Sequence, residues 1–235
     1  MAQHIGIVAC SAEGAALCYR SICLGGADLL GPHDHPEISL HTHSLAEYMK
    51  YIDREDWQGV GRLMLSSANK LAQIGADFLI CPDNTIHRAL PFVASELPLR
   101  WLHIAEVVAS QAVGRNFRRL GLMGTRYLVE SDVYPEKLKA RALEYVQPTP
   151  AERNAMNRII FEELVCGVFK PESVAVFQQI MRRMKGEGCD AVVLGCTEIP
   201  LIMNDSNSPL PTLDSTRLLA RMALRRAIQS RALPV

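Results

Sequence analysis

Two stretches of the 235-residue chain follow one pattern, and that repetition constrains the fold more than any other feature. Gly75-Ala76-Asp77-Phe78-Leu79-Ile80-Cys81-Pro82-Asp83 matches Gly188-Cys189-Asp190-Ala191-Val192-Val193-Leu194-Gly195-Cys196 in length, and both open Gly-x-Asp. Each continues as a short apolar run, which reads as a buried parallel strand. Each also follows a long amphipathic helical pattern, over 57–74 and 172–185. Downstream, Pro98-Leu99-Arg100-Trp101-Leu102-His103 aligns without a gap on Pro209-Leu210-Pro211-Thr212-Leu213-Asp214. Upstream, Gly6 lies 77 residues before Asp83, and Gly121 lies 75 before Cys196.

Two copies of one α/β unit therefore share the chain. The expected fold class is α/β: two pseudo-symmetric Rossmann-like domains with mostly parallel sheets and an active site in the cleft between them. Residues 1–104 plus 214–235 would form the first domain, the last helix folding back onto it, and residues 105–213 the second. Strands are expected at 5–11, 37–43, 78–81, 101–104, 118–123, 191–194 and 210–213. Helices are expected at 12–22, 45–52, 57–74, 105–113, 130–143, 151–166, 172–185 and 216–229. Gly75 stops one helix, and Gly186 and Gly188 another.

Composition narrows the class of function. Lys plus Arg and Asp plus Glu both number 25, so no net field favours nucleic acid or an anionic membrane. No run approaches the length of a membrane span. Seven scattered cysteines argue against a disulfide framework, and the chain reads as a reduced, cytoplasmic protein. His33/His35 and His41/His43 alternate in a way that hints at metal. No acidic or cysteine partner stands at ligand spacing, and an edge or pocket wall is the expected role. Dinucleotide fingerprints, Walker loops and the Gly-x-Ser-x-Gly elbow are missing, which removes support for nucleotide binding and serine hydrolysis.

The repeat also aligns Asp83 with Cys196, each at the C-terminal end of a strand, where open α/β sheets bind small molecules. A cleft with one proton-transfer group on each side suits chemistry at a stereocentre. One group removes the Cα proton and the other supplies a proton to the opposite face. Taken alone, Cys196 would read as one more buried cysteine.

These residues resemble the aspartate/glutamate racemase family over nearly the whole chain. Gly195-Cys196-Thr197-Glu198-Ile199-Pro200 matches the family's second active-site motif. Pro82-Asp83-Asn84-Thr85-Ile86-His87 matches the first, Pro-Cys-Asn-Thr-x-His, except at its cysteine. Gly124-Thr125-Arg126-Tyr127 and Ile159-Ile160-Phe161-Glu162-Glu163-Leu164 are further likenesses. The resemblance implies a homodimeric isomerase that needs no pyridoxal phosphate, metal or other cofactor. It implies Cys196 as one acid/base, with Asn84, Thr85, Thr125 and Thr197 holding the substrate α-carboxylate and Ser11 bordering it. Asn84 and Thr85 could equally be helix caps. His87 would orient the first loop or lie on a helix surface. Glu198 would polarise its surroundings or cap a helix, the second reading being preferred.

Departures from the family pattern sharpen the question. Asp83 replaces the first cysteine, and Cys81 lies about 6–7 Å deeper along the strand, a poor substitute. Ala9-Cys10-Ser11 stands where the family has Gly-Gly-Met, and Cys10 reads as a packed small residue. An ionised Asp83 near Cys196 would repel a dicarboxylate by a few kcal/mol at an effective dielectric of about 20. Arg126, Arg88 and Arg158 are candidates to offset that charge, Arg126 being best placed, with a surface role for it equally open. The leading expectation is a racemase of acidic amino acids that moves the Cα proton between Cys196 and Asp83. The alternatives are a single-thiol enzyme resembling arylmalonate decarboxylases or isomerases, and a non-catalytic amino-acid binder.

Overall fold

The computed structural model describes residues 2–229 and has two four-stranded, all-parallel sheets, in agreement with the expected α/β class. The first series runs β1 (Ile5–Ala9), α1 (Ala12–Leu30), β2 (Ile38–Thr42), α2 (Leu45–Ile52), α3 (Trp57–Gln73), β3 (Phe78–Ile80) and β4 (Arg100–Leu102). Next come α4 (Ile104–Gly114), β5 (Arg119–Met123), α5 (Arg126–Val129), α6 (Val133–Lys139), β6 (Glu144–Val146) and α7 (Pro150–Glu162). The chain finishes with α8 (Pro171–Gly186), β7 (Ala191–Leu194), β8 (Thr212–Asp214) and α9 (Ser215–Gln229).

Strand order is β2-β1-β3-β4 in one sheet and β6-β5-β7-β8 in the other. The repeat thus survives as topology. Contacts divide the chain into two compact units, the chain up to Ile104 joined by that from Thr216 onward, and Ala105–Ser215. In the first unit α9 is tied to the chain start, the Gln3 N–H donating to the Ala227 carbonyl at 2.9 Å. The Arg226 guanidinium lies over the Phe78 ring, 4.9 Å from its centroid, within the range of a cation–π contact.

The repeated Gly-x-Asp performs the same task in both sheets. Gly75 and Gly188 adopt φ of 90° and 86°, left-handed turns that favour glycine. The following aspartate then pins the start of the neighbouring central strand. Asp77 accepts from the His4 N–H at 2.6 Å and returns its own N–H to the His4 carbonyl at 2.9 Å. Asp190 accepts from the Arg118 and Arg119 N–H groups and returns its N–H to the Arg119 carbonyl at 2.9 Å. Both clamps sit at the strands' N-terminal ends, so register is set at one end and the opposite ends are left for chemistry.

Four expectations need correction. Helix α1 runs on to Leu30 instead of ending at residue 22, because Cys18, Ile22 and Gly26 continue one buried stripe at four-residue spacing. The helix expected over 130–143 is shortened to α6, Val133–Lys139, with the separate short α5 ahead of it and β6 after it. That edge strand was not anticipated: only Val146 of its three residues is buried, so it carries no apolar run. The helix expected over 151–166 ends as α7 at Glu162, with a 3-10 turn over Leu164–Cys166. The final strand begins at Thr212 and not at 210. No helix among the described residues is long and apolar enough to cross a membrane.

Candidate functional site

In the first unit, the parallel register Ile7↔Ile80 brings the exits of β1 and β3 side by side. Beyond them, the Asp83 carboxylate accepts from the Cys10 N–H through Oδ2 and from the Ser11 N–H through Oδ1, both at 3.1 Å. Ser11 is the N-cap of α1, its hydroxyl accepting from the Gly14 N–H at 3.2 Å. Asp83 therefore holds the β1–α1 turn from outside while Ser11 holds it from within. Cys81 is wholly buried, and its thiol points to the Asp83 carbonyl at 3.7 Å. Burial first, and then the Asp83 charge, push that thiol well above its ordinary 9.0. The same two causes raise the Cys18 thiol.

The loop after Asp83 turns directly into a 3-10 helix over Thr85–Phe92. Asn84 is buried, stands at its N-cap and makes no side-chain cap bond, so the capping role is not what it performs. Thr85 is half-buried as the first helical residue. His87 is 1% exposed rather than on a helix surface, and its Nδ1 lies 2.9 Å from the Asp83 carbonyl.

In the second unit, Met123 pairs with Leu194, which sets the exits of β5 and β7 side by side. The Gly195 N–H donates to the Met123 carbonyl at 2.8 Å, and Cys196 follows, buried. Its thiol donates to Glu198 Oε2 at 2.8 Å. Burial pushes this thiol well above 9.0, the Glu198 charge and hydrogen bond push the same way, and the Glu198 and Ile199 N–H groups pull against them. Burial and Glu198 thus both favour the protonated form of the Cys196 thiol, which is hydrogen-bonded to the Glu198 carboxyl group. Glu198 is buried and makes no side-chain cap bond to the 3-10 turn at Ile199–Leu201, contrary to the preferred capping reading; its side chain meets the Cys196 thiol instead. Thr197 is buried beside it. Thr125 is buried too and caps α5, accepting from the Leu128 N–H at 3.3 Å.

The three arginines expected near the substrate all have other engagements. Arg126 is exposed, with its guanidinium 5.4 Å from the Tyr127 ring and its N–H on Asn157 Oδ1. Arg88 stacks over Trp57 at 4.5 Å, and Arg158 pairs with Glu163 at 3.5 Å.

Two residues near the first motif escaped the sequence reading. Tyr48 of α2 is fully buried, its phenol pushed up by burial first and then by Cys10, Cys81 and Asp83. Its position inside an amphipathic helix gave only a core signal. Trp101 of β4 donates its indole N–H to His87 Nε2 at 3.2 Å. The repeat had flagged its segment, but not its partner.

Residues 7–223 match the Asp/Glu/hydantoin racemase family, and the chain belongs to that family. By class it is a racemase, an isomerase. Among curated proteins it is similar to the broad specificity amino-acid racemase RacX of Bacillus subtilis (strain 168), 23% identical over 192 residues, 80% of each chain. Among solved structures it is similar to a candidate Asp/Glu racemase from Yersinia pestis, with a TM-score of 0.89 and 29% identity, covering 97% of this chain and 100% of the other. An aspartate racemase homologue from Pyrococcus horikoshii OT3 superposes with a TM-score of 0.84 and 27% identity, covering 97% and 99%.

Proposed function

We propose that the protein racemises amino acids without a cofactor, moving the Cα proton between Asp83 on one face and Cys196 on the other. The observation that supports this best is the buried Cys196 thiol donating to Glu198 at 2.8 Å. A strand-exit thiol that holds its proton is equipped to give it to Cα and, as a thiolate, to take one back from solvent. In the forward sense, the Asp83 carboxylate takes the Cα proton, leaving the electron pair in an enediolate. Cys196 S–H then protonates the opposite face of Cα and becomes a thiolate, which the Glu198 and Ile199 N–H groups face. Solvent returns a proton to Cys196 and removes one from Asp83. Asn84, Thr85, Thr125 and Thr197 are proposed to hold the α-carboxylate, with Ser11 bordering it.

With Arg88, Arg126 and Arg158 engaged elsewhere, an acidic side chain has less to bind than the sequence reading expected. The substrate class is therefore given as amino acids, with breadth over side chains, in keeping with the RacX likeness. A cytoplasmic homodimer is the proposed setting, on the family resemblance, and sedimentation checks the oligomer.

The test is solvent-deuterium exchange at Cα across L- and D-amino acids, with wild type, Cys196→Ala and Asp83→Asn. Wild type should exchange both enantiomers of its substrate and interconvert them, and each variant should lose interconversion. Absence of exchange with every amino acid would sink the proposal. One observation favours a second reading: the Asp83 oxygens already accept from two backbone N–H groups, as a structural anchor's would. Cys196 would then be the sole proton donor, as in a decarboxylase or isomerase of this superfamily, or the chain would only bind its ligand. Asp83→Asn that still delivers a proton to one face would support that reading.

A further inference from the structure

The first motif is held by a histidine whose protonation is itself dictated by a third residue. Indole N–H groups donate and never accept. Trp101 Nε1 lies 3.2 Å from His87 Nε2, with the rings nearly perpendicular at 79° and centroids 5.9 Å apart. His87 Nε2 must therefore be the bare, accepting nitrogen. The ring proton then belongs on Nδ1, which is 2.9 Å from the Asp83 carbonyl and donates to it. The opposite tautomer would set two N–H groups against each other at one end and a lone pair against a carbonyl at the other. A doubly protonated ring would oppose Trp101 in the same way. The His103 ring, 4.6 Å away and tilted by 60°, covers a third side.

What this holds is one peptide plane. The Asp83 carbonyl receives His87 Nδ1–H and lies 3.7 Å from the Cys81 thiol. In a trans peptide the next N–H points the opposite way, so the Asn84 N–H is aimed away from His87. Register links the lock to the sheet: Trp101 pairs with Leu79 across β3 and β4, so its indole is carried by a strand and not by a loop.

We propose that Trp101 is a positioning residue for the reaction: by fixing His87 in its Nδ1–H tautomer it orients the Asp83–Asn84 peptide, and through it the Asn84 N–H that grips the substrate carboxylate. The last step rests on the racemase reading above; the tautomer lock does not.

The experiment separates the two. Nitrogen-15 NMR of histidine-labelled wild type should show His87 with Nδ1 protonated and Nε2 bare, and Trp101→Phe should add the Nε2–H form. Finding the Nε2–H tautomer in wild type, or no change in Trp101→Phe, overturns the lock whatever the enzyme does. For the reaction, loss of one aimed hydrogen bond should raise KM about fivefold to tenfold in Trp101→Phe with a smaller change in kcat. His87→Asn keeps a side-chain N–H near the Nδ1 position that needs no tautomer. Its KM should rise no further than in Trp101→Phe, and Trp101→Phe added to it should raise KM less than twofold. A Trp101→Phe penalty of equal size with and without His87→Asn would mean that Trp101 only packs, and the proposal would fail. An intact lock in a protein without exchange activity would overturn the racemase reading and the Asn84 step with it, leaving the tautomer assignment standing.

Discussion

Replacing Asp83 by asparagine tests whether this carboxylate holds the fold as well as taking a proton. The structure gives it two backbone donors, the Cys10 and Ser11 N–H groups, each 3.1 Å from a different oxygen. Asparagine has one oxygen and one amide nitrogen. Whichever way the amide is turned, one of the two N–H groups faces another donor. A hydrogen bond to a charged group contributes about 1.5–3 kcal/mol, and an orphaned donor costs a similar amount, so the net loss should be about 2–3 kcal/mol. For a chain of this length that is a Tm lower by roughly 5–10 °C, read by circular dichroism or calorimetry. Cys196→Ser is the control, because serine retains a donor to Glu198; its Tm should stay within about 2 °C of wild type. Both variants should lose racemisation, but only one should lose stability. An Asp83→Asn protein melting within about 2 °C of wild type would refute the two-donor geometry, and the dual role with it.

Glu198→Gln removes the Glu198 charge, one of the causes that raise the Cys196 thiol, so the thiol should fall toward its ordinary 9.0 while burial keeps it above that value. Iodoacetamide should then label Cys196 at lower pH than in wild type. Glu152 caps α7 in a reciprocal capping box and pairs with Arg183 at 2.7 Å. Burial would raise its carboxyl, but Arg183 and Thr149 more than offset that and hold it below 4.5. Its contribution, about 1–2 kcal/mol, is therefore fully present above pH 4.5 and lost as pH falls through the lower folded value. Urea titrations of wild type and Glu152→Gln should differ at pH 7 and converge as the solution is acidified.

How much of this was readable beforehand follows from where each interaction is encoded. The sheets were legible because Phe78–Ile80 and Ala191–Leu194 are buried on both faces and carry unbroken apolar runs. Strand β6 was not, because at a sheet edge two of its three residues face water. The positions of Cys196 and Asp83, each just past a strand exit, were legible because the repeat aligned them. The roles of their neighbours were not, because those depend on geometry across chain breaks. Asp83 reaches main-chain N–H groups seventy-odd residues away, which any residue type at positions 10 and 11 would offer. The Glu198 side chain had two nearby uses, a helix end and a thiol; the short 3-10 turn gave it little to cap. Trp101 looked like an ordinary strand residue until its indole was seen to meet His87.

The two motifs occupy equivalent strand exits, yet they are charged oppositely with protons, and that asymmetry has a kinetic signature. In the second unit a thiol holds its proton beside a carboxylate; in the first a carboxylate sits against backbone donors. The free enzyme should therefore rest with the proton on Cys196, the form that accepts the enantiomer whose Cα proton faces Asp83. The mirror substrate needs the scarcer thiolate form, and its apparent affinity falls by the fraction of enzyme in that form. Racemisation has an equilibrium constant of unity, so the two enantiomers must nevertheless share one kcat/KM. The asymmetry can appear only as a matched pair: the enantiomer read by Cys196 has both the larger KM and the larger kcat. Progress curves from each pure enantiomer, followed by circular dichroism, give both constants. Equal KM and equal kcat in the two directions would mean that Asp83 and Cys196 share the proton evenly, and the resting state inferred from the 2.8 Å Cys196–Glu198 contact would be wrong.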